Sequence, residues 1–246
     1  MIISSIVKKG TIKDNCDDTV LINNHLINDE CMKIEDEPFS CVFVADGVGG
    51  NKGGKDASQY LLNHIEPSEL EGKDENGVFQ YFGNLNLELI EYASHLGEKF
   101  NMATTLTGLI KVDKKYFLVH IGNTRMFVKQ GSFLKQVTVD QTQYQQLINM
   151  GQYEAAKRTN KSAILGCFGG GNAKYFSTLE VAQIFEEELP EIIILTSDGI
   201  HDFIDIDRIE DWMNGYQSLD DFNTIFEQAN ELGSTDDKSV IYIQNV

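Results

Sequence analysis

Between residues 104 and 139, four strand-like runs follow one another so closely that little but an antiparallel sheet can hold them. The runs are 104–112, 116–121, 126–129 and 133–139, and turn-formers such as Gly122-Asn123 and Gln130-Gly131 stand between the later ones. Gaps this short leave no room for crossover helices, so the spacing predicts an antiparallel meander in one continuing sheet.

Three more strand-like runs, 2–7, 19–23 and 39–45, precede it, and the last is so continuously apolar that it suits a strand covered on both faces. From Gly54, the residues Ala57, Tyr60, Leu61, His64 and Ile65 recur at helical spacing, as do Leu85, Leu89, Tyr92 and Leu96. Residues 140–150 read as helical, and the three successive glycines within 167–172 predict a mobile loop, so a flap is expected around 140–172. A buried-looking strand 192–196, helices over 206–213 and 219–232, and a strand 239–244 close the chain. Strand clusters alternating with helix pairs predict an α+β fold, and with no linker or repeat the simplest division is one domain, 1–246.

Hydrophobic residues make up 41% and charged residues 24%, enough apolar material for a sizeable core. With 38 Asp plus Glu against 20 Lys plus Arg, the formal charge is -18, which argues against a nucleic-acid backbone or an anionic membrane as partner. No apolar run is long enough to span lipid and the N-terminus lacks a signal-peptide pattern, so a cytoplasmic protein is expected, and a monomer. Cys16, Cys31, Cys41 and Cys167 show no CxxC spacing, and the five histidines form no zinc pattern. Any metal would have to be held by oxygen.

Four aspartates share one context. Asp18 opens the run 19–23, Asp46 closes 39–45, Asp198 closes 192–196, and Asp236 stands just before 239–244. Glycine follows Asp46 and Asp198 directly, allowing a backbone carbonyl, that of Gly47 for one, to approach an ion closely. Converging carboxylates repel one another unless divalent cations neutralise them, and hard oxygen ligands select Mg or Mn. Taken singly, each Asp reads equally as a turn or helix-cap residue. A rival signal is Gly49-Gly50-Asn51-Lys52-Gly53-Gly54-Lys55-Asp56, which fits GxxxxGK between a strand and a helix, as a nucleotide-phosphate loop would. Asp56 then stands where Ser or Thr would hold Mg.

Taken in order, the motifs resemble those of the metal-dependent serine/threonine protein phosphatases, the type 2C family in its compact bacterial form. Gly10-Thr11-Ile12-Lys13-Asp14-Asn15-Cys16-Asp17-Asp18 resembles GxxRxxNED, and Val44-Ala45-Asp46-Gly47-Val48-Gly49-Gly50 resembles VADGMGG. Met102-Ala103-Thr104-Thr105-Leu106 is similar to MGTTL, His120-Ile121-Gly122-Asn123-Thr124-Arg125 to HVGDSR, and Val137-Thr138-Val139-Asp140-Gln141-Thr142 to LTxDHS. Ile164-Leu165-Gly166, Leu195-Thr196-Ser197-Asp198-Gly199 and Gly233-Ser234-Thr235-Asp236-Asp237-Lys238-Ser239 complete the set.

The resemblance implies a four-layer α-β-β-α sandwich, two mainly antiparallel sheets flanked by helix pairs, with two Mg or Mn ions in a cleft at one edge. By position, Asp46 would bridge both ions, the Gly47 carbonyl would bind one, Asp198 and Asp236 would complete the other, and Asp18, with Asp17, would hold ion-bound water. A hydroxide shared by the ions would attack phosphorus in line. The implied substrate is a phosphorylated protein at phosphoserine or phosphothreonine, opposing a serine/threonine kinase. Two alternatives stay open: a non-catalytic phosphopeptide-binding or scaffold member, and nucleotide binding by the loop 49–56.

Several positions depart from the family. Lys13 replaces the arginine that grips phosphate, giving a point charge without the bidentate fork; Lys13→Arg should lower KM. Asn123 replaces an aspartate that helps bind a weak third ion, and a neutral amide is a poorer ligand, so that ion is expected to be weak or missing. Val48 stands where relatives carry a histidine acid, leaving an ion-held water to protonate the leaving group. His201 is expected at the surface or as a cap, with a proton donor as the minor reading, and Asp202 as a cap of the following turn.

Overall fold

In the computed structural model, residues 1–48 and 53–245 are described. Their strands are β1 (Ile2–Lys8), β2 (Thr19–Ile22), β3 (His25–Ile27), β4 (Cys31–Glu35), β5 (Cys41–Ala45), β6 (Ala103–Thr104), β7 (Leu106–Val112), β8 (Lys115–Ile121), β9 (Arg125–Gln130), β10 (Phe133–Gln136), β11 (Phe168–Gly169), β12 (Glu180–Glu186), β13 (Ile192–Thr196) and β14 (Lys238–Gln244). The α-helices are α1 (Gly54–Asn63), α2 (Glu75–Ser94), α3 (Gln143–Asn149), α4 (Tyr153–Ala156), α5 (Asp198–His201), α6 (Ile206–Gly215) and α7 (Asp221–Glu231).

The continuous apolar runs are explained by burial on two sides. Along β5, Val42 and Val44 face the space between two sheets, while Cys41, Phe43 and Ala45 face α1 and α2. Along β13, Ile193 and Leu195 face inward and Ile192 and Ile194 face α6 and α7. With period 2 sending alternate side chains to opposite faces, each central strand needs apolar residues at every position. Three apolar layers result, one between the sheets and one under each helix pair. This is the four-layer α-β-β-α sandwich.

One six-stranded sheet has the order β10-β9-β13-β14-β1-β4, the other six-stranded sheet β12-β8-β7-β5-β2-β3, and β11 pairs with β6 in a two-stranded sheet. Every pairing between neighbours within them is antiparallel. The continuous meander expected over 104–139 is therefore corrected: β7 and β8 belong to one sheet, β9 and β10 to the other. The chain changes sheets at Gly122-Asn123-Thr124. Asn123 and Thr124 are buried, whereas a hairpin tip would project into water. Gly122 takes φ +103, a left-handed backbone, with its Cα packed on the Thr105 side chain. Arg125 then pairs with Thr196 of β13 instead of turning back on β8.

Three strands lack a strong sequence signal. The hairpin β2–β3 turns at Asn23, whose φ is +55, so the run expected to end at Asn23 stops one residue short. β4 and β12 lie at sheet edges, half exposed, and show little apolar patterning.

Candidate active site

Asp46 leaves the end of β5 with its backbone held on both sides. Its N–H donates to Thr105 Oγ1 at 3.0 Å, and its carbonyl accepts from Thr105 N at 2.9 Å and Thr104 Oγ1 at 3.0 Å. Gly47 N donates to the Asp17 carbonyl at 3.2 Å. A Cβ on Gly47 would overlap the carbonyl group of Gly54, where α1 begins, so only glycine lets the helix pack this close.

Asp198 is the first residue of α5, directly after β13, and Asn123 Nδ2 donates to its Oδ2 at 2.9 Å. Asp18, buried before β2, accepts from Ser239 Oγ at 2.6 Å. Asp17 Oδ1 accepts from Lys55 N at 3.1 Å. Asp236 reaches in from the turn before β14, and Lys13 Nζ lies 2.6 Å from its Oδ1.

The sheet change sets Asn123. Gln141 N donates to the Gly122 carbonyl at 2.7 Å, while Gly122 N donates to Gln141 Oε1 at 3.2 Å. Arg125 holds Asp140 with two bonds, Nε at 2.8 Å and Nη2 at 2.5 Å. The same segment continues to Asn160, Ser162 and Ile164, which line the cleft; Thr142 caps α3 by accepting from Gln145 N. Gly169, Gly170 and Gly171 all take positive φ, and Gly169 N donates to the buried Asn86 side chain at 2.8 Å.

Lys13, Asp46, Asn123, Asp198 and Asp236 thus open on one cleft of about 450 Å³, with Val48 on its wall. Asp18, Asp17 and Gly47 stand behind it. Lys13 is the one cationic side chain lining the cleft among the described residues. Burial, then the charges of Asp198, Asp18 and Asp236, hold the Asp46 carboxyl well above the usual carboxylate range. Burial and the Asp236 charge push Asp198 up to about 6, against the Asn123 hydrogen bond. Burial and the Asp237 charge push Asp18 up to about 7, against hydrogen bonds from Ser239 and Ser197. Asp17 is also raised by burial, with Lys13 opposing. For Lys13, burial disfavours the charge, but the hydrogen bond and charge of Asp236 outweigh it and keep the ammonium protonated.

Buried carboxylates that resist ionisation beside one another form a donor set suited to a divalent cation. All the donors are oxygen. His120 is turned away, with Nδ1 on Thr107 Oγ1 at 2.8 Å and Nε2 on the Val139 carbonyl at 3.0 Å. The Cys16 thiol donates to the Asp18 carbonyl. Among the described residues, no three Asp, Glu, His or Cys side chains already stand close enough to cage one ion. Asp236 is drawn to Lys13, and Asn123 holds one oxygen of Asp198.

Other expectations are corrected. His201 is neither exposed nor a cap: it is buried, its Nδ1 sits 2.8 Å from Thr196 Oγ1, and burial together with the Arg125 charge holds its pKa well below normal. Asp202 is the residue that ends α5, and the cap before α6 is Asp205, which accepts from Arg208 N at 3.0 Å. Gly49 to Lys52 of the nucleotide-loop reading lie outside the described residues. Beyond them, the Lys55 amide is taken by Asp17 and the Asp56 carboxylate pairs with Lys99 at 2.6 Å.

Sequence reasoning missed Asp237. Its side chain is 1% exposed, its Oδ1 accepts from Gly10 N and its Oδ2 from Asp17 N, each at 2.7 Å. The doublet Asp236-Asp237 held a signal, two acidic residues before a strand, but not which of them turns inward.

Comparison with known proteins decides the family. Residues 18–238 match the family model described as protein phosphatase 2C. The chain belongs to the protein phosphatase 2C family. It is therefore an enzyme of the metal-dependent serine/threonine protein phosphatase class. It is 23% identical over 214 residues to the serine/threonine phosphatase stp of Listeria welshimeri, covering 82% of this chain and 83% of that protein. It is 26% identical over 214 residues to protein phosphatase PhpP of Streptococcus pneumoniae, covering 82% and 84%. The same type 2C fold appears in the solved serine/threonine phosphatase Stp1 of Staphylococcus aureus, with TM-score 0.79, 20% identity and coverage of 99% and 94%.

Proposed function

We propose that the cleft hydrolyses phosphoserine and phosphothreonine in proteins, with two Mg or Mn ions held by Asp46, the Gly47 carbonyl, Asp198 and Asp236. Asp18 and Asp17 act through water, and Asn123 is at most a weak position for a third ion. When bound, such ions supply a nucleophilic water at neutral pH and offset charge on the transferring phosphoryl group.

The chain's own residues do the rest. Lys13 meets a phosphate oxygen as a point charge. Asn123 orients Asp198, and the bonds from Thr104 and Thr105 hold the Asp46 backbone at the cleft. Val48 lines the wall and has no proton to give the leaving oxygen. Residues 140–172 serve as a flap through Asn160, Ser162 and Ile164. The substrates are phosphoproteins made by an opposing serine/threonine kinase, met by a monomer in the cytoplasm. A formal charge of -18 supports a reading without nucleic acid or anionic membrane, and among the described residues no helix is long and apolar enough to cross a membrane.

The observation that carries this reading is the meeting of Asp46, Asp198 and Asp236 with Lys13 on one cleft. Hydrolysis of an aryl phosphate with Mn, repeated with chelator and in Asp198→Ala, tests it. Turnover that survives either treatment contradicts the metal mechanism, and no turnover with any divalent ion favours a phosphopeptide-binding role.

A further inference from the structure

Asp237 is a buried carboxylate with three partners, and all three lie on the loop 10–17. Its Oδ1 accepts from Gly10 N at one end, its Oδ2 accepts from Asp17 N at the other, and the same Oδ2 stands 3.2 Å from Lys13 Nζ in the middle. Lys13 is also 2.6 Å from Asp236 and 3.5 Å from Asp17. Those two carboxylates are more exposed, at 48% and 20%, and Asp236 is claimed by the proposed ions, so neither is a permanent anchor.

A lysine at a cleft rim has a flexible four-carbon stem and no planar fork, so its ammonium ranges through solvent unless something fixes it. A nearly fully buried carboxylate, immobilised by two backbone N–H groups, is such a fixture, and its charge is screened little by salt. A neutral amide at 237 could accept one of the two N–H bonds only by turning its own N–H group toward the other donor, and it would offer Lys13 no charge.

We propose that Asp237 is the positioning residue of the phosphate site: it holds the Lys13 ammonium over the cleft whether or not Asp236 is engaged elsewhere, so that substrate phosphate meets a cation already in place. This rests on the reading of Lys13 as the phosphate-binding cation, and it assigns a role to a residue outside the proposed ion ligands.

The test is a double-mutant cycle, with inorganic phosphate as the inhibitor of Mn-dependent turnover. Asp237→Asn should weaken phosphate inhibition about fivefold or more and raise KM more than it lowers kcat. In the Lys13→Met background the same change should add almost nothing, because its target is gone. Equal loss in both backgrounds, or no loss in either, overturns the proposal, since a merely structural role for Asp237 would not depend on Lys13. A second measurement needs no change at 237. In the Mg-loaded unaltered chain, heteronuclear NMR of lysine ammonium groups should show, besides that of the buried Lys238, a slowly exchanging signal that Lys13→Met removes. Its absence also overturns the proposal, even if Asp237→Asn does not fold. Should the unaltered chain show no metal-dependent turnover, the catalytic reading fails, and the ammonium signal still decides whether Lys13 is held in place.

Discussion

Asn123 Nδ2 donates to Asp198 Oδ2 at 2.9 Å across the cleft floor, joining the turn between the two sheets to the start of α5. Both side chains are buried. The amide gives Asp198 a donor where a carboxylate would give it a second negative charge.

Asn123→Asp should therefore lower the stability of the chelator-treated protein by about 1–3 kcal/mol, the usual cost of losing a buried donor to an ionised group. Excess Mn should restore most of that loss. Thermal melting with and without ion checks it, and an unchanged melting temperature in chelator would show that the bond does not hold Asp198.

Ion binding should expel protons. In the fold without ions, Asp198 is raised to about 6, Asp18 to about 7, and Asp46 well above the ordinary carboxylate range, chiefly by burial. Unfolded aspartates titrate near ~4. Between these values the folded chain binds more protons than the unfolded one, so these groups make the metal-free protein less stable as pH rises toward 7. An ion competes with the same protons and binds more weakly as pH falls. Calorimetry of Mn binding at pH 6.5 in buffers of different ionisation enthalpy should report proton release that shrinks by pH 8. Buffer-independent heats would contradict the raised carboxyls.

Gly47→Ala should cost about 1–3 kcal/mol, because its methyl group meets the Gly54 backbone rather than a side chain that can turn aside. Relief requires Asp46 or the start of α1 to move, so kcat should fall with stability. Retention of full turnover would mean that the close approach does not set Asp46.

Phe43→Ala is the contrasting change. Phe43 is fully buried under α2, with its ring 5.8 Å edge-on from Phe82. Its loss should cost about 3–5 kcal/mol. Mn-dependent kcat at a temperature well below melting should stay near normal, since the residue faces away from the cleft. Denaturant titration and steady-state kinetics separate the two effects.

The sequence carried the layers well. Central strands such as β5 and β13 announce themselves because both faces must be apolar, and α1, α2, α6 and α7 through the stripe each lays on a sheet. Edge strands β4 and β12 were illegible because half-exposed positions tolerate any residue. The change of sheet at Gly122-Asn123 was read as part of a meander, since a turn pair looks the same whether its flanking strands pair with each other or with strangers.

The candidate site divides in the same way. Asp18, Asp46, Asp198, Asp236 and Lys13 could be named from their motifs and their places at strand ends or in the opening motif, because local chain geometry sets which residue leaves a strand. That Asp237 turns inward and that Asn123 serves Asp198 depended on contacts between segments far apart in sequence. A hydrogen-bond partner 75 or 227 residues away leaves no periodic trace in the chain, and only packing the sheets face to face selects it.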